Sequence, residues 1–277
     1  MGLGIRTACR RTFRSALFAL GYHVAPQTDT ATLITLLRKL RPRDCGIDLI
    51  RVGSEHDGGY LIPDDLEAIE YCFSPGVNTS VDFESQLADR GIKSFLADYS
   101  VTSPPILRAE FTFDRMFLGP FDKGHWFTLS TWKDKYLSGY QGELILQMDI
   151  EGFEYETILT TPLDVLRQFR ILIIEFHGMD RLFDSFMFAR LSSCFEKLLE
   201  LFHVVHIHPN NSGEAIVRGE IEIPEMMEFT FLNKSRVKEA TPAFRFPHQL
   251  DRDNSLTARR LVLADCWHSH CEANRRY

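Results

Sequence analysis

The 277-residue sequence lacks any apolar run of about 20 residues, the length that a membrane-spanning helix needs. It also lacks a surplus of positive charge, because 31 Lys and Arg stand against 38 Asp and Glu, a formal net charge of -7. A general nucleic-acid binder neutralises phosphates with a basic surface. We therefore predict no nucleic-acid partner, although a local basic patch is compatible with this balance.

A disulfide framework is also missing. The six cysteines are scattered along the chain, at Cys9, Cys45, Cys72, Cys194, Cys266 and Cys271. Such scatter is typical of reduced thiols, so we predict a cytoplasmic protein. A tail cluster offers four soft metal ligands, Cys266, His268, His270 and Cys271. Its spacing matches no structural zinc pattern, and we predict no structural metal.

Acidic residues are absent before Asp29, and this N-terminal segment carries two stripes. Every fourth residue is basic at Arg6, Arg10 and Arg14, and apolar at Ile5, Cys9, Phe13 and Leu17. The pattern predicts an amphipathic helix, which we interpret as packed on the protein. The alternatives are a transit peptide and a weak peripheral contact of residues 1–24 with the inner face of an anionic membrane.

Predicted strands alternate with helices through most of the chain, which indicates a doubly wound α/β sheet. We predict a helical extension over residues 1–45, an α/β domain over 46–235, and a tail over 236–277 packed on or near the domain. The predicted strands are 71–73, 95–97, 111–118, 143–148, 171–176, 204–207 and 227–232, the last antiparallel. The predicted helices include one starting at Asp29 or Thr30, one entered through a capping box at 79–82, and three more at 128–137, 155–169 and 180–201.

Residues 70–100 read as strand, tight turn, helix and strand, ending on Asp98. Such a unit forms half of a nucleotide site, in which an acid after the second strand grips ribose hydroxyls. A dinucleotide site needs G-x-G-x-x-G, but only Gly76 is present here, with Asn78 and Ser80 among the following residues. A pyrophosphate cradle, and with it a nicotinamide-dependent oxidoreductase, is therefore disfavoured.

S-adenosylmethionine carries no phosphate and fits the same stretch better. Its binding site needs one stretch of backbone that comes close to the ligand, polar groups that bind the amino-acid end, and an acid that binds the ribose. Gly76, Asn78 and Asp98 can supply these, and Ser74 and Tyr99 complete the predicted cofactor-binding set together with Asp149.

Asp149 and Glu151 follow the fourth predicted strand, where open α/β sheets bind ligands. They can hold the methionine ammonium, orient an acceptor hydroxyl, or bind Mg²⁺, which prefers oxygen ligands. Alternatively, Glu151 starts the next helix and only favours its dipole. His177 follows the neighbouring strand and can act as a general base, although a lone histidine at a strand end is often structural. We predict His177, Asp149 and Glu151 as catalytic residues.

Other polar residues are candidates for binding an acceptor: Asp57, Tyr60, Glu175, His206 and His208. The Asp57-Gly58-Gly59 run is either an ordinary hairpin turn or a ligand loop, because two glycines let backbone approach a bound molecule. His206 and His208 share one face of a predicted strand. They either line the acceptor pocket or have a plain buried or surface role.

Together these residues resemble the FkbM family of S-adenosylmethionine-dependent methyltransferases over roughly residues 45–235. The similarity rests on four runs, RVGSEHDGGYLIP, FSPGVNTSVDFESQLADRG with FLADYS, LQMDIEGFEYETIL and ILIIEFHG. It implies a class I methyltransferase fold, a Rossmann-like, mostly parallel seven-stranded sheet whose last strand is antiparallel. It places Gly76, Asn78 and Asp98 at cofactor positions, Asp149 and Glu151 in the family's acidic motif, and His177 after the fifth strand.

The resemblance also implies O-methylation, often of sugar, glycan or natural-product hydroxyls. We therefore expect a cytoplasmic O-methyltransferase that uses S-adenosylmethionine and acts on a sugar or glycan hydroxyl in cell-surface polysaccharide or glycolipid biosynthesis. The alternatives are a natural-product acceptor and a non-catalytic, methyltransferase-like binding module. The sequence leaves the oligomeric state open.

Overall fold

The computed structural model describes residues 15–21, 24–77, 79–243 and 245–268. The basic stripe predicted at the N-terminus, Asn78, and two members of the tail cluster, His270 and Cys271, lie outside these ranges. Residues 15–19 are helical. Within the described ranges, none of the helices is both long enough and apolar enough for a membrane crossing.

One seven-stranded sheet forms the centre of the protein. Its strands are β1 Tyr71–Pro75, β2 Lys93–Ala97, β3 Phe111–Asp114, β4 Leu144–Met148, β5 Phe169–His177, β6 Phe202–Pro209 and β7 Met226–Asn233. Their spatial order is 3-2-1-4-5-7-6. The first five pair in parallel, and β7 is antiparallel to both β5 and β6. The prediction of a mostly parallel, Rossmann-like sheet with an antiparallel last strand is confirmed.

The interior strands β4 and β5 owe their position to continuous apolar sequence. Every residue of β4 is buried, and so is every residue of β5 except His177. Strands with this composition are stable only where both sheet faces are covered. β5 lies between parallel β4 and antiparallel β7, so the parallel part of the sheet ends there.

The helices are α1 Thr30–Lys39, α2 Asp82–Ala88, α3 Leu129–Leu137, α4 Glu154–Thr160, α5 Leu163–Arg167 and α6 Ser185–Leu201. As predicted, Asp29 caps α1, and its carboxylate accepts a hydrogen bond of 3.0 Å from the Thr32 N–H. The single helix predicted over 155–169 was wrong, because Pro162 lacks an N–H and divides it into α4 and α5. The helix predicted from Asp180 begins at Ser185, after a 3₁₀ turn over Met179–Phe183.

Two further local predictions were wrong, and one hairpin was missed. The capping box fails because the chain turns after β1, where the Ser80 N–H bonds to the Val77 carbonyl, so α2 starts only at Asp82 and has no side-chain cap. The third strand ends at Asp114, because the Met116 N–H turns back to the Asp114 carbonyl. A hairpin of Ala215–Arg218 and Ile221–Pro224 before β7 was not predicted.

The core covers both faces of the sheet. The larger cluster includes Leu33 and Leu37 of α1 and Phe195 of α6. The smaller one is built by α2 and by the first hairpin, which consists of Leu49–Gly53 and Gly59–Pro63. The tail joins the larger cluster through Trp267, which is fully buried and donates its indole N–H to the Glu222 carbonyl at 2.8 Å.

Candidate functional site

The predicted site residues lie at the carboxyl edge of the sheet, where the parallel strands end. Gly76, just after β1, has a φ of +93°, and a Cβ there would lie 1.6 Å from the Asp149 carbonyl oxygen. The Asp149 N–H bonds to the Pro75 carbonyl at 3.2 Å, and the Gly76 N–H bonds to the Ala97 carbonyl at 2.8 Å. The backbone at Gly76 therefore does come close to a neighbour, as expected, and that neighbour is the loop after β4.

That loop, residues 149–153, joins β4 to α4 and is termed the acidic loop. Glu151 in it has a φ of +56°, a left-handed conformation uncommon outside glycine. Glu154, the first residue of α4, is fully buried and holds the loop: its Oε1 accepts the N–H groups of Ile150 at 3.2 Å and Gly152 at 3.0 Å. Backbone strain maintained in this way is concentrated at functional sites.

His177 brings the strand-end acids together. Its Nδ1 lies 3.1 Å from Glu154 Oε1. Because that oxygen already accepts two backbone N–H groups, the imidazole donates to it, and Nε2 faces the other carboxylates. Nε2 lies 3.4 Å from Glu151 Oε2, 3.8 Å from Glu175 Oε1 and 3.9 Å from Asp149 Oδ1. We term these five residues the His177 cluster. The structure thus unites all three residues predicted as catalytic and adds Glu154.

Protonation in the His177 cluster is shifted by burial and by mutual charge. Burial raises the pKa of Asp149 to about 7, although the charge of His177 opposes the rise. Burial and the charge of Asp149 raise the pKa of Glu175 well above its usual range, although Asn210 donates a hydrogen bond to it. Burial lowers the pKa of His177, but its hydrogen bond to Glu154 and the surrounding charges outweigh this and raise it overall.

A buried polar chain supports the site from beneath. Gln147 Nε2 donates to the Tyr60 hydroxyl at 3.1 Å, and the Ser74 hydroxyl donates to Gln147 Oε1 at 2.6 Å. Ser74 also contacts the Glu84 carboxyl. Burial raises the pKa of Glu84 to about 7, and in its neutral form it can donate to Ser74. Ser74 is fully buried, so it ties β1 to β4 and α2 rather than facing the open cavity.

A cavity of about 130 Å³ opens between the first hairpin, the Gly76 loop and the acidic loop. Five acids line it: Asp57, Asp82, Glu84, Asp149 and Glu151. The described lining contains no Lys, Arg or His. Asp57 and Gly58 lie at the turn of the first hairpin, so this segment is both a hairpin turn and part of the cavity wall. The local charge favours a cationic ligand over a phosphate.

Asp98, which was predicted to bind the ribose, directly follows β2 and is buried. β2 is the neighbour of β1, the strand that precedes Gly76. Its Oδ1 accepts hydrogen bonds of 2.7 Å from the N–H and the hydroxyl of Ser100. Tyr99 lies in a neighbouring aromatic group, with its ring stacked on His125 at 4.1 Å between centroids and the Arg115 guanidinium 4.9 Å from its centre. Neither Asp98 nor Tyr99 belongs to the acidic cavity wall.

His206 and His208 do not join the His177 cluster, because β7 lies between β5 and β6. Both are buried against Asp251 of the tail, whose Oδ1 lies 3.0 Å from His206 Nε2 and 3.8 Å from His208 Nδ1. Burial lowers the pKa of His208 to about 4. These histidines are absent from the lining of the acidic cavity and attach the tail to β6.

Neither Glu154 nor Glu84 was predicted from the sequence to have a role in the site. The only signal for Glu154 was its place three residues after Glu151, at the start of a predicted helix. The signal for Glu84 was weaker. It is an acid within the apolar pattern of α2, and the neighbouring Phe83 and Leu87 are buried. In both cases the burial that defines the role depends on neighbouring strands.

Comparison of the sequence with family models and with curated proteins gave no match. The fold and the site define a Rossmann-like α/β protein with an acidic cavity and a histidine–carboxylate cluster at the carboxyl edge of its sheet. Open α/β sheets bind their ligands at this edge.

Proposed function

We propose that this protein is an S-adenosylmethionine-dependent O-methyltransferase. The observation that carries the proposal is the acidic cavity between the ends of β1 and β4, beside the His177 cluster. S-adenosylmethionine carries a sulfonium and an ammonium group and no phosphate, so it suits a wall of carboxylates that would repel a dinucleotide. The sheet, with its antiparallel last strand, agrees with the fold that the FkbM-family resemblance implies.

In this proposal the two parts of the methyl donor lie on either side of Gly76. The cavity of about 130 Å³ is smaller than the roughly 300–1,000 Å³ usual for small-molecule sites. It would hold the methionine end, with its ammonium facing Asp57 and Asp149. The adenosine would lie across the end of β2, where Asp98 meets the ribose hydroxyls and Tyr99 contacts the base.

The acceptor hydroxyl would lie between the methyl group and the His177 cluster. Transfer forms an oxygen–carbon bond as the carbon–sulfur bond breaks in line, and the hydroxyl proton leaves to His177 Nε2 or to a carboxylate of the cluster. A positioned proton acceptor contributes about 10²–10⁴-fold. Glu154 would be a positioning residue, because it holds Nδ1 and turns Nε2 toward the substrate. We propose a sugar or glycan hydroxyl as the acceptor, modified in the cytoplasm during synthesis of a cell-surface glycan.

Calorimetric titration with S-adenosylhomocysteine tests the donor site. Asp98→Asn should weaken binding at least 10-fold, because hydrogen bonds to a charged group contribute about 1.5–3 kcal/mol. The amide oxygen can still accept the Ser100 hydrogen bonds, so the loop should stay folded. Asp134→Asn, an exposed acid of α3, is the matched control and should bind like the wild type.

No binding by the wild-type protein at millimolar ligand, or equal binding by Asp98→Asn, would refute the donor site. Turnover is then measured with radiolabelled S-adenosylmethionine and a panel of glycan acceptors. Donor binding without methyl transfer to any acceptor would identify a binding module instead of an enzyme.

A further inference from the structure

We infer that the His177 cluster binds a divalent metal cation, with His177 Nε2 and one carboxylate oxygen each from Asp149 and Glu151 as ligands. The three ligand atoms all lie within 4.8 Å of one another. Ligands of one ion at about 2.0–2.2 Å can be up to about 4.4 Å apart. The distances from Nε2, 3.4 Å to Glu151 and 3.9 Å to Asp149, already fall within that span, so small rotations of the side chains would complete the site.

Glu175 gives an independent indication that a cation belongs there. Its side chain is only 5% exposed and points at the same imidazole nitrogen, with Oε1 3.8 Å from Nε2. Its other oxygen, Oε2, is buried without a hydrogen-bond partner, and so is Asp149 Oδ1. Buried, unpaired carboxylate oxygens are costly to maintain. A cation held by His177, Asp149 and Glu151 would satisfy Asp149 Oδ1 and would place a positive charge beside the Glu175 carboxyl.

The described part of the chain supplies no other positive charge to these acids. Asp149, Glu151 and Glu175 form no ion pair with a Lys or Arg among the described residues, and the imidazole of His177 is their common partner. Three carboxyl groups face one histidine, so the cluster has more acceptor oxygens than donors. A divalent ion would balance this excess more fully than one imidazolium.

The surroundings of His177 also match those of a metal ligand. Metal-binding histidines usually donate their second ring N–H to a carboxylate, which fixes the tautomer and orients the ring. Glu154 accepts the Nδ1–H in this way at 3.1 Å and is itself fully buried. The left-handed backbone at Glu151 brings its carboxylate over Nε2, although that side chain is 83% exposed. The exposed side leaves room for water or an acceptor oxygen.

The donor set favours a first-row transition ion. Mg²⁺ and Ca²⁺ prefer all-oxygen sites, whereas imidazole nitrogen suits ions such as Fe²⁺ and Zn²⁺, and carboxylates also suit Mn²⁺. The mixed set of one nitrogen and two oxygens therefore matches a transition ion better than the Mg²⁺ considered from the sequence, and Mn²⁺ serves as its probe. With the ion bound, Nε2 is a ligand and no longer a base. The cation would then polarise the acceptor hydroxyl, and its proton would leave to the Glu175 carboxylate or to solvent.

Electron paramagnetic resonance tests this directly, because protein-bound Mn²⁺ loses the sharp spectrum of the free ion. We expect one Mn²⁺ per chain after dialysis against EDTA and removal of the chelator. Glu175→Gln and Glu151→Gln should each raise the dissociation constant at least 10-fold, and Glu154→Gln should raise it 10–100-fold. Glu151 is exposed, so its variant should fold even if a buried variant does not.

Asp134→Asn is the matched control, since Asp134 is an exposed acid like Glu151 but stands outside the cluster. Its Mn²⁺ affinity should stay within twofold of the wild type. A free-ion spectrum that persists at millimolar protein, or equal weakening by Asp134→Asn and Glu151→Gln, would overturn the inference. Because this readout needs no methyl donor, the cation site and the methyltransferase proposal can fail independently.

Discussion

The substitution Glu84→Gln tests the buried polar chain beneath the site. Glu84 is 3% exposed, and burial raises its pKa from an ordinary 4.5 to about 7. Between these values the folded protein binds more protons at Glu84 than the unfolded chain does. Stability therefore falls as pH rises through this window. The loss begins near pH 4.5 and is nearly complete just above pH 7.

The magnitude follows from the two pKa values. Their difference of about 2.5 corresponds to about 3 kcal/mol, at about 1.4 kcal/mol for each pKa unit. About 2–3 kcal/mol of this falls between pH 5 and pH 8. Gln is uncharged and nearly isosteric, and its amide N–H can donate to the Ser74 hydroxyl, as a neutral Glu84 carboxyl can at this contact. The variant should escape the loss that ionisation causes.

Urea unfolding followed by circular dichroism measures the effect at pH 5, 6, 7 and 8. Other buried acids also titrate, so the informative quantity is the free energy of unfolding of Glu84→Gln minus that of the wild type. We expect this difference to rise by about 2–3 kcal/mol from pH 5 to pH 8. A difference that stays constant with pH would refute the assignment of Glu84 as a neutral, buried donor.

Two further substitutions test how the chain packs. Gly76→Ala should destabilise the protein by well over the roughly 1–2 kcal/mol of a left-handed alanine, because its Cβ would collide with the Asp149 carbonyl. Gly91→Ala, with a φ of +82° and open space around it, is the matched control; equal melting temperatures for the two variants would contradict the close approach. Trp267→Ala should cost about 3–5 kcal/mol in chemical denaturation, since this tail residue is fully buried. A loss below 1 kcal/mol would show that the tail does not belong to the core.

Local sequence determined much of the fold. The apolar runs of β4 and β5 predicted buried strands, because only a sheet covered on both faces can hold them. The single glycine after β1 predicted a close backbone approach, which the structure shows between Gly76 and the acidic loop. Parallel strands end at the same edge, so the chain order alone indicated that Asp149, Glu151 and His177 could meet there.

Tertiary structure decided which polar residues belong to that site. β7 inserts between β5 and β6, and this non-local pairing moves His206 and His208 away from His177 and places them against Asp251. Glu154 became the partner of His177 only because the acidic loop folds over it. Local periodicity predicts strands and helices, but strand order and burial arise from contacts between residues far apart in sequence. In the sequence, the acids that surround His177 stand in separate motifs. Only the packing of the sheet brings them together as one cluster.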